Sequence, residues 1–242
     1  LDKDQRIRAL VGWIQERVLG AGRRGVVLGL SGGVDSTLLA VLCKRAFPKN
    51  TVGLIMPCYS LPEDKDTAEN ISRQFEIPTK TITLNGIYDA MLNVLPIFSS
   101  ETSVDRIAKA NIKTRLRMVT LYYTANQMNY LVAGSGNRDE VTIGYFTKYG
   151  DGGVDILPLG NLVKKEVKEL ARFVGIAPEI VDKPPSAGLW PGQLDETEIG
   201  FSYEMLDRFL QTGTAPEALK SRIEYMIAAC RHKKAAPAIP EF

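Results

Sequence analysis

The stretch VVLGLSGGVDSTLLAVL, residues 26–42, decides how the rest of the chain is read. Its opening run, VVLGL, is short and apolar and reads as a buried parallel strand. The run breaks at Ser31-Gly32-Gly33, where glycine permits a tight turn and close backbone approach. Asp35 and Ser36 follow, and then an apolar-rich segment long enough for a helix, ending near Phe47-Pro48. A strand, a glycine turn and a helix start gather backbone N–H groups around one point, and the helix dipole favours an anion there. Two readings of the turn stand at this stage: an ordinary strand-to-helix turn of small residues, and an anion-binding loop. Two familiar phosphate loops are excluded. The turn has no lysine for GxxxxGK, and GLSGGV is not GxGxxG.

Outward from this stretch, strand and helix patterns alternate. Residues 4–19 place Ile7, Leu10, Val11, Ile14 and Val18 at helical spacing. TVGLIM, residues 51–56, reads as a second buried strand. Residues 62–76 read as a polar helix with Ala68, Ile71 and Phe75 inward, and TKTITL, residues 79–84, as a third strand. That alternation predicts an α/β fold, a parallel sheet with helices on both faces. Residues 85–97 read as a short helix. Residues 103–128 read as a long amphipathic helix with a solvated basic side, of a length that suits a subunit interface. YLVA, residues 130–133, is a fourth strand, with GSGNRDE as its exit loop. The Gly-rich, aromatic and charged segment 145–155 reads as a binding loop on the carboxyl edge of the sheet. Residues 156–159 read as a last strand and 164–174 as a helix capped by Gly175. Prolines and glycines exclude a regular element over most of 180–200, leaving a lid, an interface or a long connector with Trp190 on it. Two helices close the chain, at 202–211 and 216–234.

The chain of 242 residues is long enough for a full core and reads as one domain, 1–242. Thirty Lys and Arg against 28 Asp and Glu leave a net charge of +2, which gives no general argument for nucleic acid or an acidic membrane. No apolar run approaches a transmembrane span. The three cysteines, Cys43, Cys58 and Cys230, lie far apart. They argue against a disulfide framework and for a reducing, cytoplasmic setting. With no CxxC and a single histidine, His232, zinc is not expected.

SGGVDS after a strand resembles the pyrophosphate loop of adenylate-forming ATP-pyrophosphatases. With AKANIKTRLRMVTLYYTAN, GNRDE, GYFTKYGDGGVDILPLGNL, KPPSAGLWPGQLDE and the late His232-Lys233 in their order, most of the chain from Gly29 onward resembles ammonia-dependent NAD synthetase. The resemblance implies a Rossmann-like sheet and a two-step reaction. The nicotinate carboxylate of deamido-NAD attacks the α-phosphorus of ATP, pyrophosphate leaves, and ammonia then displaces AMP from the adenylate. It implies ATP contacts from Gly29, Leu30, Ser31, Gly32, Gly33, Val34, Asp35 and Ser36, with the Ser31 hydroxyl on the departing pyrophosphate. Ser135, Lys164 and Ser186 fall on further ATP positions; the family commonly has threonine where these serines stand. Asp35 and Glu140 match Mg2+ ligands. Arg115, Lys148, Asp155, His232 and Lys233 fall on deamido-NAD positions. Tyr145 and Phe146 offer a stacking surface for the nicotinate ring. Asp151, an acid in the Gly-rich loop, is the candidate that attracts ammonium and takes its proton. The family is dimeric, which implies a homodimer.

A Cys-His amidotransferase site needs a histidine near its nucleophile, and a nitrilase-like glutaminase needs a further domain. Neither fits this chain, so free ammonia, or ammonia from a separate protein, is the expected nitrogen source. The rival readings are another adenylating enzyme with the same loop, namely a GMP synthetase ATPase subunit or a tRNA-thiolating enzyme, and a nucleotide sensor without chemistry. The scattered cysteines and small charge disfavour the first two. The paired acids and the 145–155 loop disfavour the sensor.

Overall fold

The computed structural model describes residues 1–98 and 102–240. The elements in chain order are α1 (Lys3–Gly20), β1 (Val26–Gly29), α2 (Val34–Ala46), β2 (Thr51–Ile55), α3 (Pro62–Gln74), β3 (Thr79–Thr81), α4 (Asn85–Val94) and α5 (Thr102–Met128). There follow β4 (Leu131–Ala133), α6 (Arg138–Ile143), α7 (Lys164–Phe173), α8 (Pro178–Val181), α9 (Asp195–Ile199), α10 (Tyr203–Thr212), α11 (Glu217–Ala229) and α12 (Arg231–Lys234).

Side chains on a strand point alternately to its two faces, and here each face feeds its own core. Val26, Leu28, Ile55 and Ala133 join α1, α2, α3 and α7 on one side. Val27, Leu54 and Val132 join α4 and α5 on the other, with Leu84, Tyr88, Leu121 and Ala125. Burial on both faces is why these strands are continuous apolar runs. Cys43 is fully buried in the first core. A third cluster, around Ile143, Ile199, Phe201, Tyr203, Leu206 and Ile223, packs α6, α9, α10 and α11 together.

The four strands are parallel and ordered β3-β2-β1-β4. Val26 pairs with Thr51 on one side and Leu131 on the other. The chain therefore winds outward from β1 through β2 to β3, then returns to the opposite side of β1. Such a reversal opens a crevice at the carboxyl ends of the two central strands, where open parallel sheets bind ligands. Here the crevice lies between the exits of β1 and β4.

Three expectations change. The 156–159 run is not a strand: only Ile156 bridges, to Ala133, and Pro158 has no N–H to continue a ladder. GSGNRDE is not wholly a loop, because Arg138–Ile143 is a helix with Asn137 and Glu140 closing a capping box. The basic side of α5 is not all solvated: Lys113 is 7% exposed and donates to the Leu189 carbonyl at 2.7 Å. Arg117 donates to the Met56 carbonyl at 3.1 Å.

Candidate active site

The turn after β1 is held by its own hydroxyls. The Ser31 and Ser36 oxygens lie 2.9 Å apart, and the Ser31 and Gly33 N–H groups donate to Ser36 Oγ and Ser31 Oγ. Gly32 has φ 83°, and a Cβ there would stand 2.8 Å from the Asp64 carbonyl oxygen of α3. Only glycine lets the turn pass so close with that backbone. Gly33 is the N-cap of α2 and supplies no side-chain cap. The first N–H groups of a 13-residue helix therefore face the crevice, a polarity suited to phosphate.

Three charged residues from three elements converge beside this turn. Asp35, in the first turn of α2, accepts from Asn137 Nδ2 at 3.0 Å through one oxygen and binds the Lys164 ammonium through the other. Glu140 on α6 accepts from the Asn137 N–H at 3.1 Å and places its second oxygen 3.9 Å from Lys164 Nζ. Lys164 itself is 4% exposed. Its backbone N–H is held by Asp139 Oδ2 at 2.8 Å and Asp207 Oδ1 at 3.2 Å, so the first turn of α7 is fixed from both α6 and α10. Burial pulls the Lys164 ammonium pKa down, but Asp35 and Glu140 more than offset that and leave it raised. Burial, then the Asp35 charge, pushes the Glu140 carboxyl up despite Lys164. Two adjacent carboxylates in a low-dielectric crevice favour a cation between them.

The donor set fits a hard divalent ion. Among the described residues no group of three or more His, Cys, Asp or Glu forms a complete metal cage. Two carboxylates leave the remaining octahedral positions to phosphate oxygens and water, the arrangement Mg2+ adopts on a nucleotide.

The segment after α6 forms the other wall. Gly150 and Gly152 N–H groups donate to the Thr147 carbonyl, and the Thr147 N–H donates to Asp151 Oδ1 at 2.9 Å. Asp151 is exposed to solvent, while desolvation by the surrounding chain raises its carboxyl pKa above the usual range. Lysines staple this segment to the last helix. Lys233 Nζ donates to the Gly144 and Phe146 carbonyls at 2.8 and 2.9 Å, and Lys148 Nζ donates to the His232 carbonyl at 2.5 Å. Arg115 Nη2 reaches the Lys148 carbonyl at 3.4 Å. Asp155 accepts from the Tyr122 hydroxyl at 3.0 Å and the Val132 N–H at 2.8 Å, which ties the segment to β4 and α5.

The 183–194 stretch crosses from this wall toward α3. Lys183 pairs with Asp64 at 2.6 Å, and the Arg106 guanidinium stacks over Trp190. Asp195 Oδ1 accepts from the Ala187 N–H at 3.1 Å and faces the Tyr145 hydroxyl at 3.1 Å. Ser186 is exposed on this stretch, its hydroxyl accepting from the Gly188 N–H.

The structure thus brings together Gly29 through Ser36, Glu140 and Lys164, with Ser135 at the exit of β4. It gathers Arg115, Lys148, Asp151, Asp155, His232 and Lys233 along the neighbouring wall. The sequence reading missed Asn137, Asp139, Asp195, Tyr203 and Asp207. Asn137 carried a readable signal, since Asn followed three residues later by Glu is a capping-box pattern. The others act across long sequence separations and carry no local signature.

One consequence concerns Gly144, which ends α6 at φ 74°. A Cβ there would stand 2.1 Å from Cys230 Cβ. Gly144→Ala is expected to cost about 1–3 kcal/mol or more and to lower Tm by several degrees. Thermal and denaturant melts check both.

Comparison with known proteins places this geometry. The NAD synthase family model matches residues 6–237. The chain belongs to the NAD synthase family. It is 46% identical over 237 residues to the NH(3)-dependent NAD(+) synthetase of Carboxydothermus hydrogenoformans, an alignment that covers 98% of this chain and 97% of that protein. Among solved structures, the NMN synthetase from Francisella tularensis superposes with TM-score 0.94 at 35% identity, covering 100% of both chains. The NH3-dependent NAD synthetase from Campylobacter jejuni in complex with nitrate superposes with TM-score 0.83 at 29% identity, again over 100% of both. The parallel sheet and its flanking helices are thus the NAD synthase fold, and the family uses ATP as co-substrate.

Proposed function

We infer that this chain is an NH3-dependent NAD(+) synthetase, a ligase that amidates deamido-NAD at the expense of ATP in the last step of NAD biosynthesis. The observation that carries the reading is the convergence of the SGGVDS turn, Asp35, Glu140 and Lys164 at the β1/β4 crevice, beside a second wall built from residues 144–155.

A carboxylate is a poor acyl donor because its leaving group would be oxide, so it is first activated. A nicotinate oxygen bonds to the α-phosphorus, the bond from that phosphorus to the bridging oxygen breaks, and pyrophosphate departs with the electron pair. The N–H groups at the start of α2 and the hydroxyls of Ser31 and Ser36 receive that growing negative charge, and Lys164 neutralises it. Mg2+ held by Asp35 and Glu140 would screen the phosphates and polarise the α-phosphoryl group. Ser135 and Ser186 add hydroxyl contacts to ATP. Arg115, Lys148, Asp155, His232 and Lys233 hold deamido-NAD, with Tyr145 and Phe146 against the ring. Lys148 and Lys233 bind backbone carbonyls, so part of their work is to shape the wall. Asp151 draws ammonium, takes one proton, and releases ammonia beside the acyl carbon; as the C–N bond forms, the nitrogen gives its second proton to water or the departing phosphate, and AMP leaves with the electrons of the acyl C–O bond.

We further propose free or externally supplied ammonia as the nitrogen source, a single functional domain, and a homodimer. Ile87, Met91, Val94 and Leu95 on and after α4, with Val104, Ile107, Val119 and Tyr123 on α5, are exposed large apolar residues beside the second core. Sedimentation should give twice the 26.7 kDa chain mass, and Ile107→Glu should shift it to monomer. A wild-type chain that runs as monomer at micromolar concentration contradicts this. No helix among the described residues is long and apolar enough to cross a membrane. The three cysteines are buried and unpaired, which supports a reducing, cytoplasmic setting.

The test is direct. ATP, Mg2+, deamido-NAD and ammonium should yield NAD, AMP and pyrophosphate in equal amounts, and glutamine in place of ammonium should yield almost none. ADP instead of AMP would overturn the reading. A second reading is favoured by the superposition on the NMN synthetase: the acceptor is nicotinate mononucleotide, with the same chemistry at the same carboxylate. Comparing kcat/KM for the two acceptors decides between them.

A further inference from the structure

Gly200, at φ 84°, ends α9, and Ser202 starts α10 by accepting from the Met205 N–H. This turn delivers Tyr203, 5% exposed, to the back of the phosphate site. Its ring lies under the Lys164 ammonium at 5.0 Å. Its hydroxyl stands 3.3 Å from Glu140 Oε1 and 3.3 Å from Asp195 Oδ2. One side chain therefore touches two of the three charged groups at the site, together with the acid that receives the Ala187 N–H from the 183–194 stretch.

We propose that Tyr203 is a positioning residue for adenylation, setting Glu140 through its hydroxyl and Lys164 through its ring. The hydroxyl half rests on the reading of Asp35 and Glu140 as metal ligands; the ring half does not. Glu140 Oε2 is already held by the Asn137 N–H, so a donor at Oε1 fixes the plane of the carboxylate. Such outer contacts orient metal ligands. Lys164 is a long, flexible side chain, and an aromatic face beneath a desolvated ammonium narrows where its charge rests. The hydroxyl has a single proton between two carboxylates. Orientation of Glu140 and attachment of the 183–194 stretch are therefore coupled through one atom.

Tyr203→Phe keeps the ring and the packing and removes the hydroxyl; Tyr203→Leu removes both. Mn2+ binding, followed by the loss of the free-ion electron paramagnetic resonance signal, is measured with a non-hydrolysable ATP analogue. Tyr203→Phe should weaken Mn2+ roughly 10–100-fold, with Tm, analogue affinity and KM for the nicotinate substrate unchanged. Tyr203→Leu should weaken the analogue as well. A Tyr203→Phe enzyme that binds Mn2+ like wild type overturns the hydroxyl role, since a packing role leaves all these readouts unmoved. Loss of Mn2+ binding in Asp35→Asn supports the metal reading independently. If wild type binds no Mn2+ with the analogue, the metal reading falls and takes the hydroxyl role with it. Analogue affinity unchanged in Tyr203→Leu overturns the ring role; if that variant fails to fold, Tyr203→Met replaces it.

Discussion

Asp35→Ala should reduce ATP–pyrophosphate exchange by roughly a thousandfold. The residue holds three functions at one place. It is an anion in the first turn of α2, it is one of two carboxylates available to a divalent ion, and it is the nearest counter-charge to Lys164. The Lys164 side chain is 5% exposed, so the ammonium left behind has no water to replace its partner. Removing one member of such a pair costs about 3–5 kcal/mol, because the other remains buried and charged. That cost falls on folding; the rate loss comes from the several kcal/mol of phosphoryl charge stabilisation forfeited with a metal-holding carboxylate, at tenfold in rate for each 1.36 kcal/mol at the transition state. Asp35→Asn separates charge from shape. It keeps an acceptor for Asn137 Nδ2 but still takes the counter-charge from Lys164, so Tm should fall, though less than in the alanine variant, while exchange is lost to the same extent. Exchange near wild type in the asparagine variant would remove Asp35 from the phosphate chemistry. Glu140→Gln should behave in the same direction.

Asp151→Asn should split the two half-reactions. Pyrophosphate exchange, which needs ATP and the nicotinate substrate but no ammonia, should persist. Amide formation should slow about 10²–10⁴-fold, the usual worth of a positioned general base. The Asp151 carboxyl accepts from the Thr147 N–H, which fixes its place in the glycine-rich turn. Desolvation raises its pKa first, and the Thr147 hydrogen bond opposes that only in part. A raised folded pKa means that the native chain binds this proton more tightly than the unfolded chain. The residue's contribution to stability is therefore present at low pH and is lost as pH rises from the unfolded value through the folded one. Asp151→Asn should thus be no less stable than wild type near pH 7, and its stability should be flatter with pH. Hydroxylamine, already neutral at that pH, should recover acyl transfer in the variant. Near-normal NAD formation from ammonium in Asp151→Asn would sink the assignment.

The fold was legible where local physics decides it. VVLGL is apolar at every position because both faces of β1 are covered, and SGG must turn because only glycine passes Asp64 at Gly32. That Asp35 and Glu140 would meet was legible because each follows a strand exit, and sheet topology brings strand exits to one edge. Short elements were less so. The 6-residue α6 is below the length at which helical periodicity shows, and its one signal was the Asn137–Glu140 cap. Ile156 to Leu159 carried strand composition, but Pro158 stops the ladder after a single bridge. The polar network behind the site was not legible at all. Lys164 is clamped by Asp207 across 43 positions, and Tyr203 meets Glu140 across 63. Neither contact leaves a mark on neighbouring residues. Lys113 and Arg117 show the same limit in reverse: they look like surface cations on α5 and instead reach carbonyls of Leu189 and Met56.

In this mechanism the nicotinate carboxylate itself attacks the α-phosphorus. That attack is tested most directly by carrying out the reaction with both oxygens of that carboxylate labelled with ¹⁸O and weighing the products. One labelled oxygen is expected in AMP, one in the amide, and none in pyrophosphate. AMP without label, or label in pyrophosphate or free phosphate, would contradict it.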